Sequence, residues 1–148
     1  MAEIRTVAII RRRPEDVFAY ATVPANWPRW HPSSLKVTGI TERTLQVGES
    51  CHEEFVTAGK HGTCEWTARE CVPGRRWVIE TRTQREKSVV IAYNLDPLGD
   101  FTRYERFLSY RMASPFLVLL DLLVLRRRVR KESDEATLRL KAALEEHP

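Results

Sequence analysis

Catalysis in a small protein needs a base, an acid or a nucleophile with a partner, and this chain offers few candidates. Its histidines are His31, His52, His61 and His147, and its cysteines are Cys51, Cys64 and Cys71. His52 and His61 flank a turn together with Cys51 and Cys64, so the ligand types of a zinc set lie close together in sequence. Cys51 and His52 are adjacent, however, and neighbours in a strand point to opposite faces, so no metal site is expected. No glycine-rich phosphate loop, nucleophile elbow or HExxH motif is present, and no cofactor is expected.

The carboxylates Glu53, Glu54, Glu65, Glu70, Glu80 and Glu105 fall on strand-like stretches, where solvated positions are the ordinary expectation. A carboxylate trapped inside would have a raised pKa and could serve as an acid. Glu70 is the best candidate, as the odd member of an apolar face; a strand end near solvent is its simpler explanation.

The elements that would position such groups are legible along the chain. At 148 residues, 43% hydrophobic and 30% charged, the sequence fits one globular domain (1–148) with a real core. "EIRTVAIIR" has strand composition, and Pro14, Glu15 and Asp16 suit the first turn of a helix whose apolar face is Val17, Phe18 and Ala21. "PANWPRWHP" then frames a second short helix, started by Pro24, limited by Pro28 and stopped by Pro32. From Ser34 to Met112 six strand-like runs are divided by turns such as "GKHG", "PGRR" and "DPLGD", the signature of an antiparallel meander. Ser114-Pro115 caps a final helix that could run about 30 residues, or roughly 45–50 Å. Its second half is amphipathic through Val129, Ala136, Leu140 and Leu144, while "PFLVLLDLLVL" is apolar nearly all round.

Charge and cysteine usage narrow the setting. The net charge of +4 is clustered at Arg11 to Arg13 and at Arg126 to Lys131. Without interleaved aromatics or a reading helix, nucleic acid is not an expected partner. The apolar run Pro115 to Leu125 falls far short of a membrane span. Together with Arg126–Lys131 it points to contact with a second copy or with a membrane surface. The N-terminus lacks the order of a signal peptide. Three cysteines with no scaffold spacing read as reduced thiols in a cytoplasmic protein, and Cys64 and Cys71 fall on opposite faces of one strand.

A strand, two short helices, six antiparallel strands and a long helix fold compactly if the sheet curls and the long helix crosses its concave face. The short helices would plug one end, and the arrangement predicts an internal cavity. Alternation assigns the inner faces: Cys64, Trp66, Ala68 and Val72; Trp77, Ile79 and Thr81; Val89, Ile91, Tyr93 and Leu95. Alternation leaves the last strand open between Phe101, Arg103, Glu105, Phe107 and Thr102, Tyr104, Arg106, Leu108, Tyr110. An inward Arg106 would be a costly buried charge unless it is paired or faces water or an anionic ligand.

The order of "RPEDVFAYATVPANWPRWHPSSLKV", "VGES", "VPGRRWVIETR", "YNLDPLGDFTRYE" and "LVLRRRV…LRLKAALEE" resembles the START/Bet v 1-like (SRPBCC) superfamily. It is most similar to bacterial proteins grouped as polyketide cyclase/dehydrase and lipid-transport-like, over nearly the whole chain. Phe101 departs from the pattern, standing where many members have glycine.

The resemblance implies a helix-grip fold: an α+β, curved seven-stranded antiparallel sheet wrapped around a long C-terminal helix. It favours Tyr104 and Arg106 facing inward, in roles that would stabilise a developing enolate, and Trp30 facing the cavity with His31 nearer its rim. The expected ligand-binding set is therefore Trp30, Trp66, Trp77, Ile79, Ile91, Tyr93, Tyr104, Arg106, Leu119 and Leu123. Three functions stay in competition: a binder of a hydrophobic or aromatic small molecule, a cyclase, aromatase or dehydratase, and an interaction module.

Overall fold

The computed structural model describes residues 2–57, 59–82, 88–110 and 126–146. The element order is β1 (Ala2–Ile10), α1 (Pro14–Ala21), a 3-10 turn (Pro24–Asn26), α2 (Trp27–Trp30), β2 (Ser34–Gly39), β3 (Ser50–Thr57), β4 (Lys60–Val72), β5 (Arg76–Arg82), β6 (Ser88–Leu98), β7 (Phe101–Tyr110) and α3 (Arg126–Glu146). All seven strands form one antiparallel sheet in the order β1-β7-β6-β5-β4-β3-β2. Strands β2 to β7 pair consecutively, and only β1 breaks the meander by closing onto β7.

The turns form where the sequence permits them. Gly48, Gly59, Gly74 and Gly99 all have positive φ, which places glycine at these reversals without a Cβ clash. Pro14 sits in the first turn of α1, whose buried residues are Val17, Phe18 and Ala21. Pro28 corrects the expectation that it limits the second helix: it occupies the first turn of α2, where its missing N–H has no intrahelical partner to lose.

Helix α3 lies against the inward face of the sheet through Ser133, Ala136, Thr137, Leu140 and Leu144, a stripe at helical spacing. Strand β1 and the residues just after it anchor the helix. Thr6 and Thr137 share a buried hydroxyl–hydroxyl bond of 2.8 Å, Arg12 donates to the Leu144 carbonyl at 2.7 Å, and Lys141 donates to the Ile9 carbonyl at 2.6 Å. Among the described residues no helix is long and apolar enough to cross a membrane. The apolar run Pro115 to Leu125 lies outside the described residues, while Arg127, Arg128, Arg130 and Lys131 of the basic cluster are exposed.

Strand pairing turns the inner faces into rungs. One apolar rung runs Ile4, Leu108, Ile91, Ile79, Ala68 across five strands. The next inward rung runs Thr6, Arg106, Tyr93, Trp77, Cys71. The step from Ala68 to Cys71 contains a bulge, since Ala68 pairs with Ile79 and Glu70 with Val78.

That extra residue overturns three expectations from strict alternation. Val72 is exposed rather than inward, and Glu70 faces out to an ion pair with Arg76 at 2.6 Å. Cys71 packs toward the core on the same face as Cys64. Both remain free thiols, seven residues apart, or about 20 Å along a strand.

Candidate functional site

The inward face of β7 settles which of its two sets points inside. Thr102, Tyr104, Arg106, Leu108 and Tyr110 are buried, and Phe101 stays exposed at the strand's start. Around Arg106 the structure gathers an aromatic series from several elements. Trp27 lies 6.1 Å from Trp77 between ring centres, Trp77 lies 5.5 Å from Tyr93, and Tyr93 lies 5.6 Å from Tyr104. Trp30 joins from α2, 6.3 Å from Tyr93 and 5.7 Å from His31. All these pairs are tilted, in keeping with the offset and edge-on geometries that aromatic quadrupoles favour.

The two tryptophans of α2, three residues apart, are both buried but serve different contacts. Trp27 donates its indole N–H to the Ala21 carbonyl at 3.1 Å and staples α2 to α1. Trp30 turns toward Tyr93 and His31, and among the described residues its Nε1 has no hydrogen-bond partner. Trp77 is fixed as Trp27 is, donating to the Leu45 carbonyl at 3.0 Å.

Arg106 is only 4% exposed. Its Nη1 donates to Ser133 Oγ of α3 at 3.0 Å, and its Nη2 lies 3.1 Å from His31 Nε2. Among the described residues its Nε has no partner and no carboxylate is paired with it. His31 receives the Ser33 backbone N–H at Nδ1, 3.1 Å away. Burial, then the positive fields of Arg106 and Arg139, hold the His31 pKa well below 6.5, so its ring is neutral near pH 7. Burial pushes the Tyr93 hydroxyl up to about 12, against the pull of Arg106. Burial, and next the neighbouring Tyr93, hold Tyr104 well above its usual 10.0.

The trapped carboxylate is Glu53, not Glu70. It sits on the inward side of β3 opposite Cys64 and accepts the Trp66 indole N–H at 3.0 Å. Burial raises its pKa, and hydrogen bonds from Ser34 and Trp66 and the field of Arg106 oppose the rise only in part. Its sequence signal was parity with Cys51 and Phe55. Burial also pushes the Cys51 and Cys64 thiols up to about 12, so neither is a ready nucleophile.

Of the residues expected to bind ligand, Trp30, Trp77, Tyr93, Tyr104 and Arg106 form one contiguous group. Ile79 and Ile91 lie on the adjacent apolar rung, and Trp66 lies beside Glu53. Leu119 and Leu123 lie outside the described residues. His31, expected only near the rim, lies against Arg106, 75 residues away, a juxtaposition that no local pattern encodes. Among the described residues no group of three metal-ligating side chains comes together.

Solved structures of the same architecture cover nearly the whole chain. A Chromobacterium violaceum protein matches at 19% identity and TM-score 0.72, over 98% of this chain and 99% of its own. A Thermus thermophilus protein matches at 14% identity and TM-score 0.74, over 97% of both chains. Ara h 8.0201 matches at 10% identity and TM-score 0.68, again over 97% of both. These likenesses show a Bet v 1-like, helix-grip fold. No curated protein matches by sequence at a significant level. Residues 1–145, however, match the family model described as polyketide cyclase / dehydrase and lipid transport, and the chain belongs to that family.

Proposed function

We propose that the protein binds a hydrophobic or aromatic small molecule between the inward face of the sheet and α3. The observation that carries this is the aromatic group Trp30, Trp77, Tyr93 and Tyr104 lying beside a buried arginine. Among the described residues no carboxylate pairs with that guanidinium, and a bound ligand that supplies an acceptor offsets the cost of burying it. Membership of a family that combines cyclases with lipid carriers supports the same conclusion. Native mass spectrometry of the purified protein, followed by solvent extraction, tests it. The expected result is a released small molecule, or an empty protein that takes up added hydrophobic probes; an empty protein that binds none would overturn the proposal.

A second reading, cyclase, aromatase or dehydratase chemistry, draws on Tyr104 and Arg106 facing the same interior. On that reading a folded substrate is oriented by the aromatic walls, and Arg106 stabilises developing negative charge on an enolate oxygen. Arg106→Lys with turnover as the readout would test it, since a point charge lacks the planar fork of a guanidinium.

A further inference from the structure

Two buried N–H groups around Arg106 lack an acceptor: among the described residues neither Trp30 Nε1 nor Arg106 Nε has a partner, and each can only donate. His31 adds a further donor. A neutral imidazole carries one N–H and one lone pair, yet both of its ring nitrogens face donors here. If Nδ1 accepts from the Ser33 N–H, the ring proton sits on Nε2 and points at the Arg106 guanidinium. If Nε2 accepts from Arg106, the ring proton sits on Nδ1 and opposes the Ser33 N–H. Either tautomer leaves donor facing donor, and protonating the ring would only add a second such clash.

Charge gives the same sign. A guanidinium is always charged, and its side-chain partners among the described residues, Ser133, His31 and the Tyr93 hydroxyl, are neutral. Glu53 is within reach of the Arg106 field but is not paired with it, and burial pushes its carboxyl toward the neutral form. Excess donors and a buried positive charge with no paired carboxylate among the described residues, in a wall otherwise aromatic, together call for an oxygen acceptor with negative charge.

We propose that the molecule bound at this site is a hydrophobic acid, held as its carboxylate in the corner formed by Arg106, His31 and Trp30. A carboxylate oxygen placed there accepts from Arg106 Nη2 and from the His31 Nε2–H together and removes the clash between them. The apolar body of the acid then lies along Trp77, Tyr93 and the Ile79–Ile91 rung. This deepens the binding proposal above and rests on it.

Titration calorimetry near neutral pH with two matched pairs, 2-naphthoate against 2-naphthalenemethanol and dodecanoate against dodecanol, tests the assignment and separates aromatic from aliphatic acids. The acid of at least one pair should bind about ten-fold or more tighter than its alcohol. Arg106→Met should close that gap by weakening the acid far more than the alcohol, and Arg106→Lys should keep part of it. An alcohol binding as tightly as its acid in both pairs would overturn the carboxylate assignment and leave the binding proposal standing. A gap that survives Arg106→Met would overturn the corner. No binding by any of the four probes to the folded protein would overturn both proposals. Should Arg106→Met fail to fold, the acid-to-alcohol ratio of the unaltered protein decides alone.

Discussion

Two arginines three residues apart on β7 live in opposite electrostatic worlds. Arg103 points outward, its side chain 39% exposed, and reaches Glu105 at 3.5 Å and Asp96 at 3.9 Å. Glu105 in turn meets Arg5 at 3.7 Å, so the outer face of β1, β6 and β7 is laced with opposite charges in water. Arg106 points inward and finds a serine, a neutral histidine and a tyrosine hydroxyl. The outer arginine is dispensable because solvent replaces whatever partner it loses. The inner one, 4% exposed, has no solvent to replace a partner it loses.

Truncating the inner wall should produce the largest effects. Trp30→Ala removes a buried indole from Tyr93 and His31 and should destabilise the fold by about 3–5 kcal/mol in urea unfolding. Phe107→Ala, on the outer face of the same sheet under Arg5, should cost under about 1 kcal/mol. Equal losses would erase the distinction between the faces.

Next comes the arginine pair itself. Arg106→Met should stabilise the unliganded protein by about 1–4 kcal/mol, because it replaces an unpaired buried charge by an apolar side chain of similar length. At roughly 2–4 °C per kcal/mol for a chain of this size, that corresponds to a rise of about 2–16 °C by differential scanning calorimetry. Arg103→Met should stay within about 0.5 kcal/mol of the parent. A clear loss of stability in Arg106→Met would show that the guanidinium is held for the fold alone.

Proton linkage gives a smaller effect of defined sign. The folded-state pKa of His31 is lowered from 6.5, so the unfolded chain binds the proton more readily. Stability is therefore full above pH 6.5 and declines as pH falls below it. His31→Asn should flatten that slope in urea midpoints measured from neutral pH to about pH 5.

Glu53 runs the other way: its folded pKa is raised from 4.5, so stability declines as pH rises above that value. Glu53→Gln should gain stability above pH 4.5 and be indistinguishable from the parent below it, in the same urea midpoints. It should be the mildest of these changes to the interior, since Ser34 and Trp66 already bond the carboxylate.

Much of this architecture was legible because alternation and turn chemistry agree. The "PGRR" and "DPLGD" reversals, the helix start at Pro14 and the inner sets of β5 and β6 follow from rules that act within a few residues. The inward side of β7 was not legible from alternation, since both of its faces carry an aromatic and an arginine. Nor was Glu53 settled, because parity with Cys51 and Phe55 assigns its face but does not tell a solvated carboxylate from one buried beside Trp66. The His31–Arg106 contact depends on how α2 sits over the sheet, a tertiary fact with no local trace.

The bulge between Ala68 and Glu70 makes β4 two reading frames joined end to end. Upstream of it even positions such as Trp66 and Ala68 face in; downstream an odd one, Cys71, does. Arg69 is therefore a spare residue: deleting it would restore plain alternation and leave Ala68 opposite Ile79 and Cys71 opposite Trp77. A deletion at Cys64, if the bulge absorbs it, inverts every residue between the two and sends Trp66 and Ala68 to solvent. Tolerance to a lost residue in this strand should thus fall with distance from Arg69, and a chimera that exchanges β4 must take its bulge and its upstream frame from the same parent.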